Sequence, residues 1–281
     1  MFATFLIYRL WNHHDTMGLK YKSTFWFCEN LELKVKIYLL GTLHLPKNLI
    51  RWPLTQVTSM IHECDVYFGE MDINESSKPS NSLIFNIPGG LLLNDYMPTK
   101  VMHKTARMLN KAFDMNIYDF MKTQPLFILH QIDRKIVGYS HDKSLDEWLW
   151  DFASKHHKTC LGLESFERQK EILALIPVEK QIKMLVDLST NVKAYRSKVK
   201  NLIHMYNEGN LYGLYQYARK SLGSLRSIML HERNHSMTDR LHNLQIQKGS
   251  KIFVSVGAGH LYGHSGILAG LKRKGWKVNP M

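Results

Sequence analysis

Two histidines follow the same short phrase near opposite ends of a 281-residue chain. Ile37-Tyr38-Leu39-Leu40 leads into Gly41-Thr42-Leu43-His44, and Phe253-Val254-Ser255-Val256 leads into Gly257-Ala258-Gly259-His260. In register, both read as an apolar strand followed by Gly-x-x-His-Leu. An imidazole just past a buried strand stands where open α/β sheets place their ligand sites. Two more apolar runs end in carboxylates, one at Glu70 and one at Glu164. The surroundings of Glu70 are otherwise apolar, so an ionised carboxylate there needs a partner. Arg233 sits on the helical stripe of Leu230, Met237, Leu241 and Leu244. Its guanidinium must meet a carboxylate or a substrate anion. Two imidazoles, two carboxylates and a guanidinium suit either a metal centre or an acid–base centre. Ligands of this type do not choose among the divalent transition metals.

The elements that position these groups are legible from periodicity. Residues 24–28 and 36–40 read as two strands joined by a turn at Glu29-Asn30. Pro53 opens a helix on which Leu54, Val57, Ile61 and Cys64 share one face. Strand, Gly-x-x-His loop, helix and strand make a βαβ unit, whose two strands run parallel. Both strand ends then lie on one sheet edge, which puts His44 near Glu70. The runs ending at Glu164 and near His260 extend the same edge. Between about 80 and 230 the pattern is mostly helical, with helices expected over 97–113, 125–137, 145–156, 167–175, 179–206 and 211–222. The expected fold class is α/β: a mixed, partly parallel sheet built from two Gly-x-x-His halves, with a helical insertion between them. Residues 1–20 read as a weakly ordered extension, with Met17 an alternative start, and 21–281 as a single domain.

The formal net charge of +13 invites a nucleic-acid reading. The basic clusters (Lys193, Arg196, Lys198 and Lys200; Lys272, Arg273, Lys274 and Lys277) lie beside intact apolar helical patterns, and no nucleic-acid motif accompanies them. They read as solvated faces, and nucleic acid is not an expected partner. The three cysteines are scattered and show no C-x-x-C pairing, which points away from a disulfide framework or a thiolate metal site. No run approaches the roughly 18 apolar residues that span a bilayer, and no cleavage site follows the apolar start. A cytoplasmic protein, not integral to a membrane, is expected. Gly257 to Gly263 imitates a dinucleotide fingerprint, but no ribose-binding acid has room to follow it.

The chain resembles the TraB/GumN family, which is related to the TIKI metalloproteases. Five stretches carry the resemblance: residues 38–44, 69–72 (Gly-Glu-Met-Asp), 161–165 (Leu-Gly-Leu-Glu-Ser), 232–237 and 256–263. The ending, residues 271–278, resembles the family's last helix and strand. The resemblance implies a mixed α/β fold with both Gly-x-x-His motifs and a glutamate around one site. It also implies metal-dependent proteolysis, with esterases among related folds. On this reading His44, Glu70 and His260 hold a divalent ion (Mn, Co or Zn) that activates water on a peptide or small ester. Glu164 then serves as base or further ligand, and Arg233 steadies the oxyanion. Two alternatives stand beside it. One is a metal-free esterase with His44 as general base oriented by Glu70. The other is a regulatory protein that sequesters a peptide signal, as the pheromone-shutdown branch of the family suggests.

Overall fold

Aromatic and β-branched residues at the start of the sheet pack well on a pleated surface. They form β1 (Phe25–Asn30) and β2 (Val35–Thr42), which pair antiparallel with Phe25 opposite Leu40. This computed structural model describes residues 22–281 except positions 77, 79–80, 82–83, 139–142 and 245–248. The extension expected over residues 1–20, with Met17, lies outside the described residues. Four further strands complete one sheet: β3 (Val66–Met71), β4 (Thr159–Glu164), β5 (Lys251–Gly257) and β6 (Lys277–Pro280). Their spatial order is β4-β3-β5-β2-β1-β6. The neighbours from β4 to β2 run parallel, and β1 runs antiparallel to both β2 and β6.

The βαβ unit read from the sequence is present, but its strands are parallel without touching. β5 lies between β2 and β3. Its segment Ile252-Phe253-Val254-Ser255-Val256 is buried throughout, the property of a strand covered on both faces. The second Gly-x-x-His half therefore docks inside the first, and four strands end on one edge.

In chain order the helices begin with α1 (Leu54–Glu63), α2 (Ile73–Ser76), α3 (Leu93–Tyr96), α4 (Thr99–Phe113), α5 (Pro125–Ile136) and α6 (Leu145–Lys155). They continue with α7 (Phe166–Ala174), α8 (Val178–Thr190), α9 (Val192–Asn207), α10 (Leu211–Leu222), α11 (Arg233–His242) and α12 (Ile267–Arg273). Among the described residues, none is long and apolar enough to cross a membrane.

The chain divides into two compact units. The described residues of Met1–Ile73, Lys143–Gln169 and Ile203–Met281 hold the sheet, and those of Asn74–Asp142 and Lys170–Leu202 form the other. In the sheet unit α6 packs against β3 and β4, α10 against the turn Ala258–His260, and α11 against α12. A β-carbon at Gly69 would lie 3.1 Å from the Trp150 ring, so this glycine lets α6 approach β3. In the second unit α8 packs on α4 and α5. The single helix expected over 179–206 is broken instead. Asn191 leaves helical geometry and its Oδ1 accepts from the Ala194 N–H at 3.1 Å, capping a new helix.

Candidate functional site

Strand ends, not sequence neighbours, build the site. Glu70 ends β3, Glu164 ends β4, His260 follows β5, and Arg233 enters at the start of α11. A π-helical turn, Ser227–Glu232, precedes Arg233, the kind of widened turn that recurs at functional sites. The guanidinium is 2% exposed and lies between two carboxylates. Its Nε donates to Glu164 Oε1 and Oε2 at 3.0 and 2.9 Å, and its Nη2 donates to Glu70 Oε1 at 2.6 Å and also to Glu164 Oε2. Burial opposes charge at all of these groups. The Arg233 guanidinium nevertheless favours the ionised Glu70 carboxyl and lowers its pKa against that burial. In return, Glu70 and Glu164 raise the Arg233 pKa against its burial. The Arg233–Glu70 pair therefore stays charged in spite of its desolvation.

Further partners complete it. Gly257 N–H donates to Glu70 Oε2 at 3.1 Å, and Gln169 Nε2 to Glu164 Oε2 at 3.3 Å. His260 Nδ1 donates to Asn234 Oδ1 at 2.5 Å, so the Nε2 lone pair faces Arg233 Nη1 at 3.4 Å. Burial, then the neighbouring guanidinium, pushes the His260 pKa down to about 3. This imidazole is a neutral acceptor throughout the physiological range.

His44 occupies different ground. An isolated bridge between Pro46 and Ser144, and a 2.7 Å bond from Leu145 N–H to the Leu45 carbonyl, tie the loop after β2 to the start of α6. That register sets Asp146 opposite His44, with Nδ1 to Oδ2 at 3.1 Å. Thr42 Oγ1 donates to the other oxygen, Asp146 Oδ1, at 2.6 Å. Ser144 and Glu147 form a capping box at this helix start, so Asp146 lies in a first turn, where a negative charge is favoured. Tyr206 Oη donates to the Gly41 carbonyl at 2.9 Å and anchors the loop. His44, Asp146 and Glu70 line one cavity of about 20 Å³, together with Tyr67, Ser255 and Trp150. That volume has room for about one water.

The structure thus brings Glu70, Glu164, Arg233 and His260 together, and places His44 against Asp146. Glu70 belongs to both settings. Sequence reasoning missed Asp146, Thr42, Gln169 and Asn234. The box Ser144-x-x-Glu147 marks a helix start around Asp146, and Asn234 directly follows Arg233. Neither signal says which loop the side chain will meet.

The chain is thus an α/β protein with a buried carboxylate–guanidinium centre at its parallel strand ends and an Asp–His pair beside it. A family model, the TraB/PrgY/gumN family, matches residues 25–280, and the chain belongs to that family. The chain is also similar to a protein described as a metalloprotease TIKI homolog from Nematostella vectensis, at 22% identity over 303 residues. That match covers 86% of this chain and 64% of the relative, so the chain spans less than two-thirds of the length of the curated protein it matches. No solved structure matches it.

The family resemblance implies a divalent ion, which the side chains here can be tested against. Among the described residues, no three His, Cys, Asp or Glu side chains gather in a way that could hold one. The Arg233 guanidinium already provides the cation between Glu70 and Glu164, and it faces the His260 lone pair. In this arrangement His44, Glu70 and His260 are not grouped as the three ligands of one ion.

Proposed function

We propose that the chain is a hydrolase acting on peptide bonds or small esters, with His44 as the general base. The observation that carries this reading is the 3.1 Å bond from His44 Nδ1 to Asp146 beside a cavity sized for one water. An aspartate on Nδ1–H leaves the lone pair on Nε2, the nitrogen that then takes a proton from water. As the water oxygen attacks the carbonyl carbon, His44 becomes imidazolium, and Asp146 stabilises that charge. The proton returns to the departing amine or alkoxide. Glu70 adds a second negative charge at the cavity wall. Arg233, with Glu164, acts through Glu70 by holding its carboxylate ionised and in place.

Turnover of a peptide and ester panel tests the reading. His44→Ala should lower kcat about 10²–10⁴-fold with circular dichroism and melting behaviour retained. Activity equal to wild type would overturn it. The relative's description as a metalloprotease supports a second reading, with a divalent ion (Mn, Co or Zn) at the site. Metal analysis of the purified protein, repeated for His44→Ala and His260→Ala, separates the two. Stoichiometric metal lost in both variants favours the second reading.

A further inference from the structure

Two hydroxyls meet between residues that line the same cavity. Tyr67 on β3 and Ser255 on β5 are each 1% exposed, and Tyr67 Oη lies 2.6 Å from Ser255 Oγ. Packing does not explain the phenol oxygen. The Tyr67 ring stacks on Phe253 at 5.8 Å and 7°, and meets the edge of Trp150 at 5.9 Å and 85°. A phenylalanine would make both contacts and would avoid burying a polar group. Ser255 likewise stands in a strand whose buried neighbours, Val254 and Val256, are aliphatic. Burial drives the Tyr67 phenol far above its ordinary range, so it keeps its proton at any working pH.

Two hydroxyls own two protons, and their mutual bond uses one. The other is left to donate elsewhere. The cavity they line, shared with His44, Glu70 and Asp146, has room for about one water, and a buried water needs two to four polar partners. We propose that the Tyr67–Ser255 pair positions the attacking water by donating one hydrogen bond to its oxygen. The water's own protons then point to His44 and to a wall carboxylate. One oxygen lone pair is taken by the hydroxyl pair, and the other forms the new bond to the carbonyl carbon. The O–H bond facing His44 breaks, its proton goes to Nε2, and the leaving group later takes that proton. No bond in either hydroxyl changes. This role rests on the hydrolase reading, whereas the water site itself does not.

Two arms test it. In crystals of the full chain at high resolution, an ordered water should lie within hydrogen-bond distance of the hydroxyl pair and of His44. It should be lost or displaced in the double variant Tyr67→Phe/Ser255→Ala. In kinetics, Tyr67→Phe and Ser255→Ala should each lower kcat about tenfold or more, the scale of one hydrogen bond made to developing charge. KM should stay in place, whereas a merely structural role would lower the melting temperature and spare kcat. Wild-type crystals without that water overturn the inference. So does Tyr67→Phe with kcat within twofold of wild type, or an acyl group trapped on Ser255. A water present in a protein that turns over no panel substrate upholds the site and removes the hydrolase reading.

Discussion

The two Gly-x-x-His loops share a phrase and a sheet edge, yet the structure gives their histidines opposite chemistry. His44 bonds a carboxylate and looks onto a water-sized cavity, with 11% of its side chain exposed. His260 bonds an amide oxygen, faces a guanidinium, and is 3% exposed. An aspartate partner favours the imidazolium that base catalysis creates, whereas an arginine neighbour and burial forbid it. The lesson is that motif spacing fixes where an imidazole emerges from a sheet. The partner that reaches it from a distant helix decides what it can do.

The sharpest way to break this contrast is to remove each ring in turn. His44→Ala should cost about 10²–10⁴-fold in kcat. His260→Gln, which keeps a polar side chain against Arg233 and Asn234, should cost less than about tenfold. Equal losses, both with KM unchanged, would mean that the loops share one task, as a common metal would require.

The contrast also has a signature in acid. The His260 pKa is about 3 in the folded chain, against an ordinary value near 6.5 when unfolded. Between those values the unfolded state binds a proton that the folded state refuses. The contribution is therefore fully present above about 6.5 and is lost as pH falls toward 3. The slope is about 1.4 kcal/mol per pH unit, or roughly 3 kcal/mol across two units. Glu70, whose folded pKa is depressed, loses its contribution only below the usual carboxylate value near 4.3, so above about 4.5 the His260 slope is free of it. Denaturant melts from pH 7 to 4.5 should show the slope in wild type and a flatter profile in His260→Gln. Identical profiles would mean that His260 titrates normally.

Much of this was legible in the sequence, because it rests on local pattern. Strand runs ending at Glu70 and Glu164, Pro53 ahead of α1, and both Gly-x-x-His turns follow from periodicity and turn chemistry. Arg233 on an apolar stripe had to find a carboxylate, and it reaches both Glu70 and Glu164. The insertion of β5 between β2 and β3 was not legible, since hydrophobicity says that a strand is buried but not beside which neighbour. Asp146 escaped for a related reason. Its pairing with His44 depends on the Pro46–Ser144 bridge, a contact across about a hundred residues that leaves no periodic trace. Asn191 was a different failure, a cap hidden inside an otherwise continuous helical pattern.

The smallest expected effect separates the glycines that open the two phrases. A β-carbon on Gly41 would lie 2.7 Å from Leu261 Cδ1 and 3.1 Å from Ala258 Cα. Leu261 is fully buried, and the backbone at Ala258 leads directly into the turn that carries His260. Gly41→Ala should therefore destabilise by about 1–3 kcal/mol, the cost of overpacking a close backbone approach. At Gly257 the nearest atoms are Glu70 Oε2 at 3.4 Å and His260 Cδ2 at 3.5 Å, ordinary contact distances, and φ is −49°. The bond from its N–H to Glu70 survives substitution, and the unfolded chain loses freedom, so Gly257→Ala should lie within about 0.5 kcal/mol of wild type. Urea melts of the two variants decide the point. Equal destabilisation would mean that the second loop is as tightly packed against its surroundings as the first, and that the resemblance of the phrases extends to packing after all.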